Sequence, residues 1–444
     1  MTESDQPLVL TGGAVVNVQS GEATSDCTVV IEGTHIARVE RNGDFAAPPN
    51  ARIVDTTGAW LIPGLTDMHV HLPFRSPQAG LLPLYLAHGV TTVRNVGGNL
   101  TELILLRREA AGNSRPIPRL FIAGPLLDGI PPLWPDHTLL VDTVARARTA
   151  VRMLVAQDVD CVKVYNNVPR DSLVAIVEEA HNSHKPVLGH VPRTLTTSDA
   201  IRIGMDCLEH IRITGRELLT AGEADAIDHL PLGTRETLLW DRFEVKSAGI
   251  ERLIDLMVER QTYLDPTLII DEDLFGGGVH DDTGAELHAT LPGPIRDALE
   301  RDRHLDPIGV PLELREQAPA GFIKRLEFIR RCNDAGVRLL AGTDTFGPAG
   351  LLPGVGLHNE LRLLQRAGLS PLEALRTATI TASEALGQDN LGRLEAGAAA
   401  DMVVLNSNPM VDIKNVRDIR FVVARGMIHR PADLVASIQS STDG

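Results

Sequence analysis

Cysteine is scarce and scattered: Cys27, Cys161, Cys207 and Cys332 form no CxxC and no paired spacing. That excludes a disulfide framework and a zinc ribbon and points to a reducing compartment. No run of 18 apolar residues occurs, so no membrane span is expected. Positive charge is also short. The net charge is -16 and the pI near 5.4, which leaves no basic face for a nucleic acid. The first residues are polar and acidic rather than basic and then apolar; no signal peptide is expected, and the predicted location is cytoplasmic. Lysine is the scarcest cation, with only Lys163, Lys185, Lys246, Lys324 and Lys414 in the chain. Arginine carries the general cationic duty.

What is present begins with Asp67-Met68-His69-Val70-His71, which closes an apolar run over residues 60–65. Two imidazoles at i and i+2 of a strand face the same side and can grip one metal ion. Downstream come Lys163 between two valines, His190 after Val-Leu-Gly, His210 in Leu-Glu-His, and Asp344 in Leu-Ala-Gly-Thr-Asp. Each ends a short apolar run. The C-terminal ends of parallel strands are where (β/α)8 barrels place their chemistry, so these six residues imply one shared site. A lysine inside an apolar strand is costly as an unpaired ammonium, which marks Lys163 as functional.

The length of 444 residues suits one barrel plus a small companion domain. Over residues 7–60 short β-rich runs alternate with turns, in the manner of hairpins. The same pattern returns in 400–405 and 419–428. Residues 1–60 and 388–444 are therefore expected to form one composite β domain. Between them, runs at 60–71, 89–96, 119–123, 160–165, 186–190, 207–211, 262–270 and 337–344 alternate with helical stretches. Eight such units predict an α/β fold, a (β/α)8 TIM-type barrel over 61–387. Ser370-Pro371-Leu372-Glu373 opens a helix with an N-cap, a first-position proline and a capping glutamate, and Gly387 is its expected stop. A long insertion around 215–320, carrying Gly276-Gly277-Gly278, is expected to cover the barrel mouth.

The ligand set, its order and the strands that carry it resemble the amidohydrolase superfamily, over nearly the whole chain. The tail Gly397-Ala398-Ala399-Ala400-Asp401, with Asn408-Pro409 and residues 422–426, looks like the closing segment of that family's small β-sandwich domain, formed from both termini. Lys163 and the Leu208-Glu209-His210 motif look most like the metal-dependent prolidase and imidazolonepropionase-like branch. The resemblance implies that His69, His71 and Asp344 bind a first divalent metal ion, zinc above all, and that His190 and His210 bind a second. Lys163, carboxylated by carbon dioxide to a carbamate, would bridge the two. The implied enzyme is a binuclear hydrolase, amidase- or peptidase-like, cleaving an amide carbon-nitrogen bond of a small peptide-like or N-acyl amino acid substrate. A metal-bridging hydroxide would attack and Asp344 would shuttle the proton.

Five further residues are candidate substrate contacts. Arg193 and Arg212 follow two of the histidines and could clamp a carboxylate. Tyr165 and Tyr263 could hydrogen-bond an oxyanion or merely pack. His137, in Pro131-Pro132-Leu133-Trp134-Pro135-Asp136-His137, stands where related enzymes carry a glycine-rich, histidine-containing loop from which this chain departs. His88 and His358 read as structural helix-end residues. Competing readings are a cyclic-amide hydrolase of the hydantoin or imidazolone type, a mononuclear deaminase, and a non-catalytic scaffold. The expected partner is a small molecule, with no nucleic acid and no membrane, in a homo-oligomer.

Overall fold

The computed structural model describes residues 6–41, 47–73, 76–112, 115–213, 215–276, 284–304, 310–346 and 351–440. The acidic first residues and the expected glycines Gly277 and Gly278 lie outside them. The strands are β1 (Leu8–Val16), β2 (Ala23–Glu32), β3 (His35–Arg41), β4 (Arg52–Asp55), β5 (Trp60–Pro63), β6 (Leu65–Val70), β7 (Val90–Asn95), β8 (Arg119–Ile122), β9 (Leu126–Asp128), β10 (Thr138–Leu140), β11 (Val162–Val164), β12 (Val187–Gly189), β13 (Cys207–Glu209), β14 (Tyr263–Asp265), β15 (Arg338–Leu339), β16 (Met402–Leu405), β17 (Ile419–Ala424) and β18 (Met427–His429). No helix among the described residues is long and apolar enough to cross a membrane.

Strands from both chain ends share one mixed eight-stranded sheet, ordered β18-β17-β16-β5-β1-β2-β3 with β4 beside β1. Strand alternation explains how it docks. Leu61, Met402, Val404, Phe421 and Val423 enter a core of the sheet's own. Their neighbours Ile62, Val403, Leu405 and Val422 face the other way, into the main core. The expected single run over 60–71 is divided: β5 belongs to this sheet, pairing with β1 and β16, and only β6 joins the central strands.

The central strands are all parallel, in the orders β6-β7-β8 and β10-β9-β11-β12-β13-β14-β15. Further backbone bonds link the two groups. The Asp160 amide donates to the Ile122 carbonyl at 2.8 Å; on the other side Met68 donates to Ala341 at 3.0 Å and Asp344 to His69 at 2.8 Å. With helices between most successive strands this is a TIM-barrel-like α/β fold. Cys161, Leu188, Cys207 and Leu340 pack together among the strands, whereas Val162, Val164, Val187 and Leu208 face the helices. Lys163 thus shares its face with Cys161, and Glu209 with Cys207. Alternation alone sends both charged side chains inward.

Two expected elements differ. The run 262–270 is a strand only to Asp265; after Pro266 and a left-handed Thr267, residues Leu268–Phe275 are a helix. Short apolar runs do not distinguish strand from buried helix. The Leu268 and Ile269 amides at that helix start donate to the buried Glu360 carboxyl at 2.9 and 2.8 Å. The capping box of Ser370 and Glu373 forms, but its helix ends at Thr377 and a second spans Ile380–Ala385. The carbonyls of Thr377 and Ala378 accept amides of Ala341 and Thr66 instead. The region 215–320 is helical on either side of β14. Arg325 fastens it: the guanidinium lies 4.5 Å from the Trp240 ring and 4.2 Å from the Phe275 ring, and pairs with Glu236 and Asp271 at 3.3 Å each.

Burial pushes the Glu360 carboxyl from its ordinary 4.5 up to about 8, against the pull of the two amides. The folded chain then holds a proton across that interval which the unfolded chain has released, so this residue's contribution to stability falls as pH rises from about 5 to 8. In denaturant titrations, the stability of wild type relative to Glu360→Gln is expected to fall over that range by up to about 1.4 kcal/mol per pH unit.

Candidate metal centre

Five of the six predicted ligands come from positions where a parallel strand ends. His69 lies near the end of β6, with His71 just beyond it, His190 directly follows β12 and His210 follows β13. Asp344 lies beyond β15, where its amide bonds back to His69. Lys163 is central in β11. His210 and Asp344 have left-handed backbones, φ 63° and 58°, and so does Thr267 at 47°. For residues with a Cβ that conformation costs on the order of 1 kcal/mol, and its concentration here is a mark of a functional site.

The side chains converge. Asp344 Oδ1 is 3.0 Å from His71 Nε2 and 3.5 Å from His69 Nε2. The His69 ring centroid lies 5.4 Å from that of His71 and 4.7 Å from that of His210, and His210 lies 4.8 Å from His190. Donor atoms of His69, His210 and Asp344 all fall within 4.8 Å of one another. Each imidazole is held from behind through Nδ1. His69 donates to Glu209 at 2.6 Å, His71 to the Gly97 carbonyl at 3.3 Å and His190 to Asn166 at 2.9 Å, while His210 shares a hydrogen bond with Thr267 at 2.7 Å. That leaves Nε2 atoms for the centre, the arrangement in which metal-binding histidines are held.

Electrostatics agree. Burial above all, helped by Lys163, lowers His69 to about 4. His190 and His210 are driven well below the usual imidazole range, first by burial and then by neighbouring histidines. All three are neutral at pH 7, as ligands must be. Burial raises Asp344, yet the net shift is downward, with His69 and His71 facing its oxygens as the opposing cause, so the carboxylate is ionised. Lys163 is 1% exposed, its Nζ has no hydrogen-bond partner, and desolvation lowers its pKa. An orphaned buried amine beside neutral imidazoles and one carboxylate fits a centre completed by cations.

Sequence reasoning did not single out the residues beneath this layer. Arg94, 3% exposed, donates to Glu209 Oε1 at 2.8 Å and to the Met68 carbonyl at 2.7 Å. Asp67 accepts the Thr343 hydroxyl at 2.7 Å, tying β6 to the segment that carries Asp344, and burial pushes its pKa up to about 7. Asp265, buried, stands 3.5 Å from Arg94. The signal for Glu209 was its spacing of two from Cys207; for Arg94 it was a lone charge in an apolar strand.

Of the candidate substrate contacts, Tyr165 lies at the site, its ring 4.1 Å from that of His190 and its hydroxyl accepting from Trp134 Nε1 at 3.1 Å. Arg212 is close enough to act electrostatically on His190, His210 and Tyr165. Arg193 lies by Tyr165 and Asp128, with a buried Nε lacking a hydrogen-bond partner. His137 is exposed in a short helical turn, Pro135–His137. Tyr263 is the correction. It opens β14, at the end opposite the histidines, where its hydroxyl accepts from Arg338 at 2.8 Å. A run of apolar residues does not reveal which end of it a tyrosine will occupy. His88 caps a helix and His358 bonds to the His88 carbonyl at 2.8 Å, both structural as expected.

The family profile described as "Amidohydrolase family" matches residues 60–429. The chain is 27% identical over 434 residues to an imidazolonepropionase of Anaeromyxobacter sp. (strain K), covering 91% of this chain and 90% of that protein. It is 26% identical over 320 residues to ochratoxinase of Aspergillus niger, covering 68% and 50%. The structure of a Xaa-Pro dipeptidase with bound methionine superposes with a TM-score of 0.68, at 20% identity, covering 96% of this chain and 100% of that one.

Gly342 shows how tightly the centre is packed. A Cβ there would lie closer than van der Waals contact to the Asp265 carboxylate and 2.6 Å from His69 Cβ. Gly342→Ala is expected to cost about 1–3 kcal/mol in denaturant titration and to lower the metal content measured by elemental analysis.

Proposed function

The chain belongs to the amidohydrolase family, hydrolases acting on carbon-nitrogen bonds, alongside prolidase- and imidazolonepropionase-like members, and from that premise we propose a binuclear metal-dependent enzyme. Its substrate is a small peptide-like or N-acyl amino acid amide. The observation that carries this reading is the buried Lys163 amine without a hydrogen-bond partner, set among neutral imidazoles and the Asp344 carboxylate. His69, His71 and Asp344 would hold one divalent cation, zinc for preference, and His190 and His210 the other. Lys163 would serve both as a carbamate, formed when its free amine adds to carbon dioxide and releases a proton. In this reading residues 1–60 and 388–444 make the companion domain, eight of the ten central strands, β6–β8 and β11–β15, close into one ring, and the helices of 215–320 frame its mouth.

Two divalent cations held there supply Lewis-acid polarisation of a carbonyl and acidify water. The chain's own groups do the rest. Asp344 Oδ1 faces the two histidines, and Oδ2 is the basic atom that takes the proton of the attacking water and returns it to the leaving nitrogen. Tyr165 covers His190 and shields that side from bulk water. Arg193 and Arg212 would pair with a substrate carboxylate, the fork of a guanidinium matching two oxygens. His137 is at most a contact of the exposed loop.

A second reading, hydrolysis of a cyclic amide, is supported by the relative named imidazolonepropionase that spans 91% of this chain. Ring-opening and linear-amide assays on one preparation separate the two.

Protein purified with bicarbonate is expected to carry about two metal ions per chain, falling sharply in Lys163→Ala, by elemental analysis. One ion in both would make Lys163 structural and end the binuclear reading. Asp344→Asn with both ions retained is expected to lose about 100- to 10,000-fold in turnover; near-normal turnover would remove the proton-shuttle role.

A further inference from the structure

All four histidines of the centre have a partner behind the ring, but His69 alone of them is backed by a charged residue that is itself held. Glu209 Oε2 accepts from His69 Nδ1 at 2.6 Å and Oε1 accepts from Arg94 Nη2 at 2.8 Å. Arg94 Nε then donates to the carbonyl of Met68 at 2.7 Å. Met68 directly precedes His69, so these bonds close a ring: backbone, guanidinium, carboxylate, imidazole, backbone. Arg94, Glu209 and His69 are 3%, 1% and 1% exposed. Water therefore has little part in holding them.

An imidazole that donates through Nδ1 keeps the Nε2 lone pair for a cation, and the opposite tautomer cannot bind one there. From this ring we infer that Arg94 and Glu209 are positioning residues that fix the tautomer and direction of His69 for its metal ion. The inference rests on reading His69 as a ligand. Neither residue touches substrate. Stability alone does not explain the pair, since a buried ion pair roughly balances its own desolvation.

The ring makes an asymmetric demand. Arginine only donates, so an amide at position 209 would turn its single oxygen to Arg94 and its NH2 to His69 Nδ1. Nδ1 would then have to accept, and the proton would move to Nε2. Remove the Arg94 donors as well, and the amide is free to turn its oxygen to His69. The doubly altered site should therefore work better than the singly altered one.

The test is zinc affinity by chelator competition, with metal content, in wild type, Glu209→Gln, Arg94→Met and the double variant. Glu209→Gln is expected to weaken binding by about 10- to 100-fold, the usual effect of losing such an outer partner. The double variant should recover about tenfold of it. Unchanged affinity in Glu209→Gln, or a double variant no tighter than the single, overturns the pairing. Should Glu209→Gln not fold, the nitrogen-15 spectrum of histidines in the metal-free wild type decides: a proton on His69 Nδ1 is expected, and one on Nε2 overturns the inference. Wild-type metal content tests the binuclear reading separately, because the single-to-double comparison holds at either stoichiometry.

Discussion

A charge taken out of water must find a partner or disappear, and the interior of this protein is arranged around that constraint. Cys161, Leu188, Cys207 and Leu340 fill one level among the strands and offer nothing polar. Beside them lie Arg94, Glu209 and Asp265, two buried carboxyl groups within 3.5 Å of one guanidinium. Further along come His69, His190 and His210, whose imidazoles have given up their charge, and Lys163, which is pressed to do so. Glu209 stays ionised because it is hydrogen-bonded to Arg94 and His69, and Asp344 lies against His69 and His71, whereas burial pushes Asp265, without a hydrogen bond, well up. A site that lacks its counter-charges until metal arrives is a poor contribution to stability. The packing around it has to bear the difference.

The same constraint explains what the sequence could and could not say. The six residues that converge at the centre were legible because each combined two local signals, a polar residue of the right chemistry and a position at or near the end of an apolar run. The outer partners carry no such local mark. Glu209 reaches His69 across 140 residues and Arg94 reaches Glu209 across 115, and the pairing exists only once parallel strands set it. Alternation did hold, which is why Lys163 could be turned inward from its spacing alone.

Failures followed the same line. Tyr263 is on the right strand but at its wrong end, and residues 268–270 continue an apolar run as helix, the Leu268 and Ile269 amides going to Glu360, nearly a hundred positions away. The capped helix after Ser370 stops early because strand amides claim its carbonyls. In the last two cases a long-range hydrogen bond overruled a local pattern.

The mixed sheet has a consequence in time. β5 lies between β1, which precedes it, and β16, which is made almost 340 residues later. At about 5–20 residues per second, a ribosome leaves the outer edge of β5 unpaired for roughly 20–70 s after making it. An open strand edge invites other chains. Throughout synthesis, then, the newborn protein needs either a guardian or a barrel that folds soon enough to hide the edge until its own last strands arrive.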